Sequence, residues 1–99
     1  MGEPLNAKMI AEPWPDDLYE VIYIDHFGNA MTGIRASVLS KDRVLKVNGQ
    51  SLKHARTFAD VEVGQAFWYE NANGLIELAV NQGRADALLG IQVSDPISL

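Results

Sequence analysis

From Tyr19 onward the chain alternates between apolar and polar positions. Tyr19, Val21, Tyr23 and Asp25 share one face of a predicted strand, and Ile22 and Ile24 share the other. The two isoleucines are expected in the core. The run ends at His26-Phe27-Gly28-Asn29, where glycine and asparagine mark a turn. A short apolar stretch, Ala30 to Ile34, follows. Arg43 to Val47 predicts another strand, and Asn48-Gly49 signals a two-residue hairpin from which Leu52 to Ala55 returns. Ala66-Phe67-Trp68-Tyr69 is aromatic on both faces. Asn73-Gly74 is a second hairpin signal. After it Ile76, Leu78 and Val80 alternate with Glu77, Ala79 and Asn81, and the first three are expected to be buried.

Helical spacing occurs once. Ala85, Leu88 and Leu89 fall at i, i+3 and i+4, with Gly90 as a C-cap and Asn81 placed to cap the start, so a short helix is predicted near 84–90. Ile97 to Leu99 reads as a final edge strand. Many short strands divided by turn signals predict a mainly β domain, a small antiparallel barrel or sandwich with one short helix. Residues 1–18 read as an irregular lead-in arm interrupted by Pro4, Pro13 and Pro15. Trp14, within that arm, is expected to pack onto the body of the domain or to cover a neighbouring one. The domain itself spans 19–99.

Composition narrows the partners. The 99 residues suffice for one domain with a modest core. Eight basic against thirteen acidic residues give a net charge of −5, which argues against nucleic acid and against anionic membranes. The apolar runs are too short to span a bilayer. No basic-then-apolar leader is visible at the start, and a cytoplasmic location is expected. Cysteine is absent, so disulfides and thiolate metal sites are excluded, and His26 and His54 are not at a metal-ligand spacing. A nucleophilic triad assembled from Ser37, His54 and Asp60 has no support beyond the presence of those residue types.

Two stretches concentrate chemistry. One is Ile24-Asp25-His26-Phe27-Gly28-Asn29 with Thr32 after it, a carboxylate, an aromatic ring and an amide at a strand end. Taken alone it also reads as a turn, with Asp25 and Asn29 bonded to local backbone, Gly28 at positive φ and Phe27 in the core. The other runs from Asn73-Gly74 through Glu77 to Asn81-Gln82-Gly83, which alone reads as a hairpin and strand.

Together with Arg56-Thr57-Phe58-Ala59-Asp60 and Gly64-Gln65, with Tyr69-Glu70-Asn71, and with Ala85, Leu88-Leu89-Gly90 and Asp95, these blocks resemble the C-terminal domain of the S-adenosylmethionine hydroxide adenosyltransferase family. These are the S-adenosylmethionine (SAM) hydrolases, related to fluorinating and chlorinating enzymes. The resemblance covers residues 19 to 99. It implies an enzyme of two domains, in which a larger N-terminal α/β domain activates water and the smaller β domain completes the pocket. It also implies a homotrimer, with SAM held between the N-terminal domain of one subunit and the C-terminal domain of its neighbour. The reaction is hydrolysis to adenosine and methionine by displacement at the ribose 5′ carbon, with SAM as substrate and no further cofactor.

Carried over by position, Asp25 would pair with the methionine ammonium. Phe27 would line the pocket, and Asn29 would read the adenine edge. Phe58 would stack on adenine. Asn81 and Gln82 lie where family backbone contacts the base. Where the family often has a serine that helps hold the methionine carboxylate, this chain has Ala72, and Asn73 is the substitute on offer. Gly33 stands where the family often has asparagine. The water-activating residues belong to the N-terminal domain, so no catalytic residue is expected here, and an excised fragment or a short relative are both consistent with the sequence. Water is the expected nucleophile. The alternative is a non-catalytic β-barrel module for interaction or trimerisation.

Overall fold

The computed structural model describes residues 17–99. The expectations placed on residues 1–16, the packing of Trp14 among them, lie outside the described residues. Six strands form one sheet: β1 (Leu18–Ile24), β2 (Ala30–Arg35), β3 (Leu45–Val47), β4 (Gln50–His54), β5 (Ala66–Glu70) and β6 (Leu75–Val80), in the order β1-β2-β6-β5-β4-β3. Among the described residues one α-helix, α1 (Ala85–Leu89), follows β6. The mainly β architecture with a single short helix is the one the alternation predicts. One pair departs from the antiparallel rule: β4 and β5 run parallel, joined through residues 55–65 with a 3₁₀ turn at Phe58–Asp60.

The hairpins are made as their turn residues require. Asn48 and Gly49 both have positive φ, 51° and 81°, and connect β3 to β4 in two residues. Gly74, at φ 80°, closes the loop between β5 and β6. Gly90 ends α1 in the left-handed region, at φ 65°.

The sheet curls because its two edges share one partner. Ser94 N–H donates to Val21 O at 2.7 Å and Val21 N–H to Asp95 O at 2.9 Å, so β1 is bonded to the C-terminal segment. Four residues later Ser98 and Lys46 exchange backbone bonds of 2.8 and 2.7 Å, tying the same segment to β3. Residues 97–99 are therefore not the edge strand their apolar ends predict. Ser98 and the preceding Pro96 instead form isolated bridges, to Lys46 and Glu20, that clasp both edges.

Inside the curl lies the core: Val21, Ile34, Leu45, Val47, Leu52, Trp68, Ile76, Leu78, Val80, Leu89, Ile91 and Ile97. The buried Trp68 indole donates to Arg43 O at 2.9 Å, which satisfies its one polar atom. A second, smaller cluster of Ala55, Phe67 and Ala79 sits on the other face of the same strands. β6 is therefore buried on both faces, and Glu77 and Ala79 are covered although alternation assigns them to the outside.

The expectation for β1 is corrected. Val21 is fully buried while Ile22 is 36% exposed, and Ile24 is only half-buried. Pairing with β2 slips twice, between Leu18 and Val21 and again between Val21 and Tyr23. The first slip puts two extra residues on β1 and the second one more, so strict alternation no longer reports which side is inward. In α1 the core takes Ala85 and Leu89 and leaves Leu88 at the surface.

Candidate functional site

A cavity of about 600 Å³ opens where the β1–β2 turn, the 3₁₀ turn and the link after β6 meet, and it is lined by Phe27, Asn29, Phe58, Val80, Asn81, Gln82 and Gly83. That volume suits a small organic ligand. Five of the expected site residues thus converge: Phe27, Asn29, Phe58, Asn81 and Gln82. Val80 and Gly83, which belong to the same family block as Asn81 and Gln82 but carry no expected site role, join them.

Each wall has a local cause. Asp25 Oδ1 accepts from the backbone N–H of Phe27 and of Asn29, both at 2.9 Å, which folds the β1–β2 turn around the carboxylate. Gly28 completes it at φ 84°. As the turn reading had it, Asp25 is bonded to local backbone and Gly28 takes positive φ. That reading also put Phe27 in the core, yet the ring is 72% exposed. The Asn29 side chain makes no hydrogen bond with the described residues, so its amide is left to face the cavity.

Phe58 forms the opposite wall. Its ring is half exposed and meets the buried Phe67 edge-on at 5.7 Å. Phe58 also lines a smaller apolar cavity of about 250 Å³ with Arg56, Thr57, Phe67 and Tyr69.

The floor comes from the link between β6 and α1. Gln82 adopts φ 58°, uncommon for a residue other than glycine, and its N–H finds no acceptor among the described residues. Asn81 does not cap the helix as its position suggests. The N-cap residue is Arg84, which makes no side-chain cap bond. The Asn81 amide instead donates to Phe58 O at 3.2 Å and Val61 O at 2.9 Å. The 3₁₀ turn lies beside the amide and presents both carbonyls to it, whereas the helix starts only after Arg84.

Two expected residues stand apart from the lining. Asp25 is half-buried beneath the turn it organises. Asn73 lies at the far end of β6, exposed, with its N–H on Asn71 Oδ1 at 2.9 Å. Among the described residues no group of three His, Cys, Asp or Glu side chains is placed to hold a metal ion. No helix among them is long and apolar enough to cross a membrane.

Residues 19–98 match the SAM hydroxide adenosyltransferase C-terminal domain. The chain belongs to that family. Among curated relatives it is 38% identical over 77 residues to the (R)-S-adenosyl-L-methionine hydrolase of Salinispora tropica, covering 77% of this chain and 30% of that protein. It is 38% identical over 81 residues to the protein of the same name from Thermus thermophilus, covering 81% of this chain and 31% of that one. The chain therefore spans about a third of the length of these family members. A crystal structure of a conserved hypothetical protein from Thermus thermophilus superposes with a TM-score of 0.73 at 37% identity, over 81% of this chain and 33% of that one. An uncharacterized conserved protein from Thermotoga maritima gives 0.72 at 25% identity, over 98% and 42%.

Proposed function

We propose that this chain is the substrate-binding C-terminal part of an enzyme that hydrolyses SAM to adenosine and methionine. The observation that carries the reading is the convergence on one cavity of two solvent-facing aromatic rings with an amide and an N–H that have no partner among the described residues. A purine has two flat faces and an edge of alternating donors and acceptors. Phe27 and Phe58 supply the faces. Asn29 and the Gln82 N–H supply the edge, since an amide offers both a donor and an acceptor. Asp25 lies at the same turn, where its charge attracts the ammonium and sulfonium of the substrate.

In the reaction a water oxygen bonds to the ribose 5′ carbon as the carbon–sulfur bond breaks. Methionine leaves with the electron pair, and the water gives up a proton. The groups that position that water belong to an N-terminal domain, and a neighbouring subunit of a trimer supplies it. Exposure of both aromatic walls supports a second surface closing over them.

The test is to incubate the complete native protein with SAM and measure adenosine and methionine. Equal amounts of both are expected. SAM turned over to any other nucleoside would overturn the hydrolytic assignment. The 99-residue chain alone should form none, because half a pocket does not hold a nucleophile in line.

A further inference from the structure

We propose that Asn81 and Arg84 are positioning residues that set the width of the cavity, each holding one aromatic wall by its backbone. The inference rests on the reading of that cavity as a purine site. Neither wall is fixed by burial, because Phe58 is 50% and Phe27 72% exposed. A ring so exposed keeps its place only if the chain beneath it is anchored.

The anchors come from one short link. Asn81 brackets the 3₁₀ turn under Phe58, with its amide on the carbonyls of Phe58 and Val61. The backbone of Asn81 holds the far end of the same loop: its N–H donates to Gln65 O at 3.1 Å and its carbonyl accepts from Gly64 N–H at 2.8 Å. Arg84 reaches the other wall. Its Nη1 donates to His26 O at 3.0 Å, one residue before Phe27. Asp86 aims the guanidinium as a fork, with Nε to Oδ1 at 3.1 Å and Nη2 to Oδ2 at 3.0 Å. The Asp86 N–H then donates to Gly28 O at 3.0 Å, so the β1–β2 turn is held on both sides of Phe27.

There is no slack in this second clamp. A Cβ on Gly28 would lie 2.7 Å from Arg84 Cβ and 2.8 Å from Asp86 Oδ1. Between the two clamps lie Gln82 and Gly83, the floor of the cavity. Each wall is therefore held by its own clamp on a shared floor, and the separation of the walls selects flat rings by size. Asn81 acts on the ligand through Phe58, and Arg84 through Phe27.

The experiment places 4-fluorophenylalanine at position 58 or 27 of the complete native protein and records its fluorine resonance. Asn81→Ala is expected to shift or broaden the signal at 58 and leave that at 27, and Arg84→Ala to do the reverse. Unchanged signals in both variants overturn the proposal. Should Asn81→Ala fail to fold, Asn81→Gln keeps the amide but displaces it and gives the same readout. Adenosine affinity is measured alongside. Each variant should weaken it about tenfold, the scale of losing such bonds. In a Phe58→Ala background Asn81→Ala should cost nothing more. A full additional loss there would mean that Asn81 touches the ligand itself and would overturn the positioning role. If the fluorine signals respond as expected while wild type binds no adenosine, the clamp stands and the purine reading falls.

Discussion

Tyr69 donates its phenolic O–H to Glu77 Oε2 at 2.7 Å, across strands in which the two residues are paired directly. Asn71 Nδ2 donates to the other oxygen at 3.1 Å, while Asn71 Oδ1 accepts from the N–H groups of Asn73 and Leu75. A buried carboxyl group thereby joins the outer face of the sheet to the β5–β6 loop. Removing one donor would leave an acceptor buried and unmatched. Tyr69→Phe is expected to cost about 1–3 kcal/mol. Denaturant unfolding checks this, and an unchanged midpoint would show that the bond carries no net stability.

The same pair gives the domain an alkaline limit. Burial, and then the hydrogen bond and negative charge of Glu77, push the Tyr69 hydroxyl well above its ordinary value. A group whose folded pKa is raised stabilises fully below its unfolded pKa, here about 10 for tyrosine. That contribution is lost as pH climbs beyond it. Melting temperature should fall more steeply above pH 10 in wild type than in Tyr69→Phe. Parallel curves would remove Tyr69 from the cause.

Gly28 and Gly49 separate steric clash from backbone strain. Both have positive φ, 84° and 81°, but a Cβ at Gly49 meets nothing within 4 Å whereas at Gly28 it strikes Arg84 and Asp86. Gly49→Ala should cost about 1–2 kcal/mol, the strain alone. Gly28→Ala should cost about 2–4 kcal/mol and disturb the cavity wall. Equal losses would mean that the clamp yields freely.

The proposed reading gives Asp25 a second duty besides its turn bonds, to attract the cationic end of SAM. Asp25→Asn keeps Oδ1 and with it both turn bonds, but removes the charge. It should weaken SAM binding to the native protein more than adenosine binding, because adenosine has no cationic end. Asn29→Ala should weaken both by about 1–3 kcal/mol, since both carry the purine. Isothermal titration with the two ligands decides, and equal losses in Asp25→Asn would cancel its assigned role.

Much of this was readable from residue order, and the failures have physical causes. Asn48-Gly49 located a hairpin because its two-residue turn needs positive φ at both positions. Gly90 likewise located the helix end. Val21 was misplaced because bulges break the period of two, and bulges leave no mark in an apolar run. Glu77 looked solvent-facing, but its burial depends on Tyr69 and Asn71, which are brought beside it only by the fold. In the site, Phe27, Asn29 and Phe58 were found through the family blocks, whose order survives in sequence. The role of Arg84 leaves no mark in the sequence, because its partner is the carbonyl of His26 and a carbonyl has no residue signature.

The clasp formed by residues 94–98 also bears on the order in which the molecule can be made. Its partners, Val21 and Lys46, leave the ribosome long before it does. A nascent chain that has emerged only through α1 has both β1 and β3 without their last partner, two open edges able to pair with another copy. Closure must wait for the final residues of the domain, and long-range closure of this kind is slow. The interval between synthesis of β1 and arrival of Ser94 is thus the period in which a chaperone, or a neighbouring nascent chain, has access to both edges.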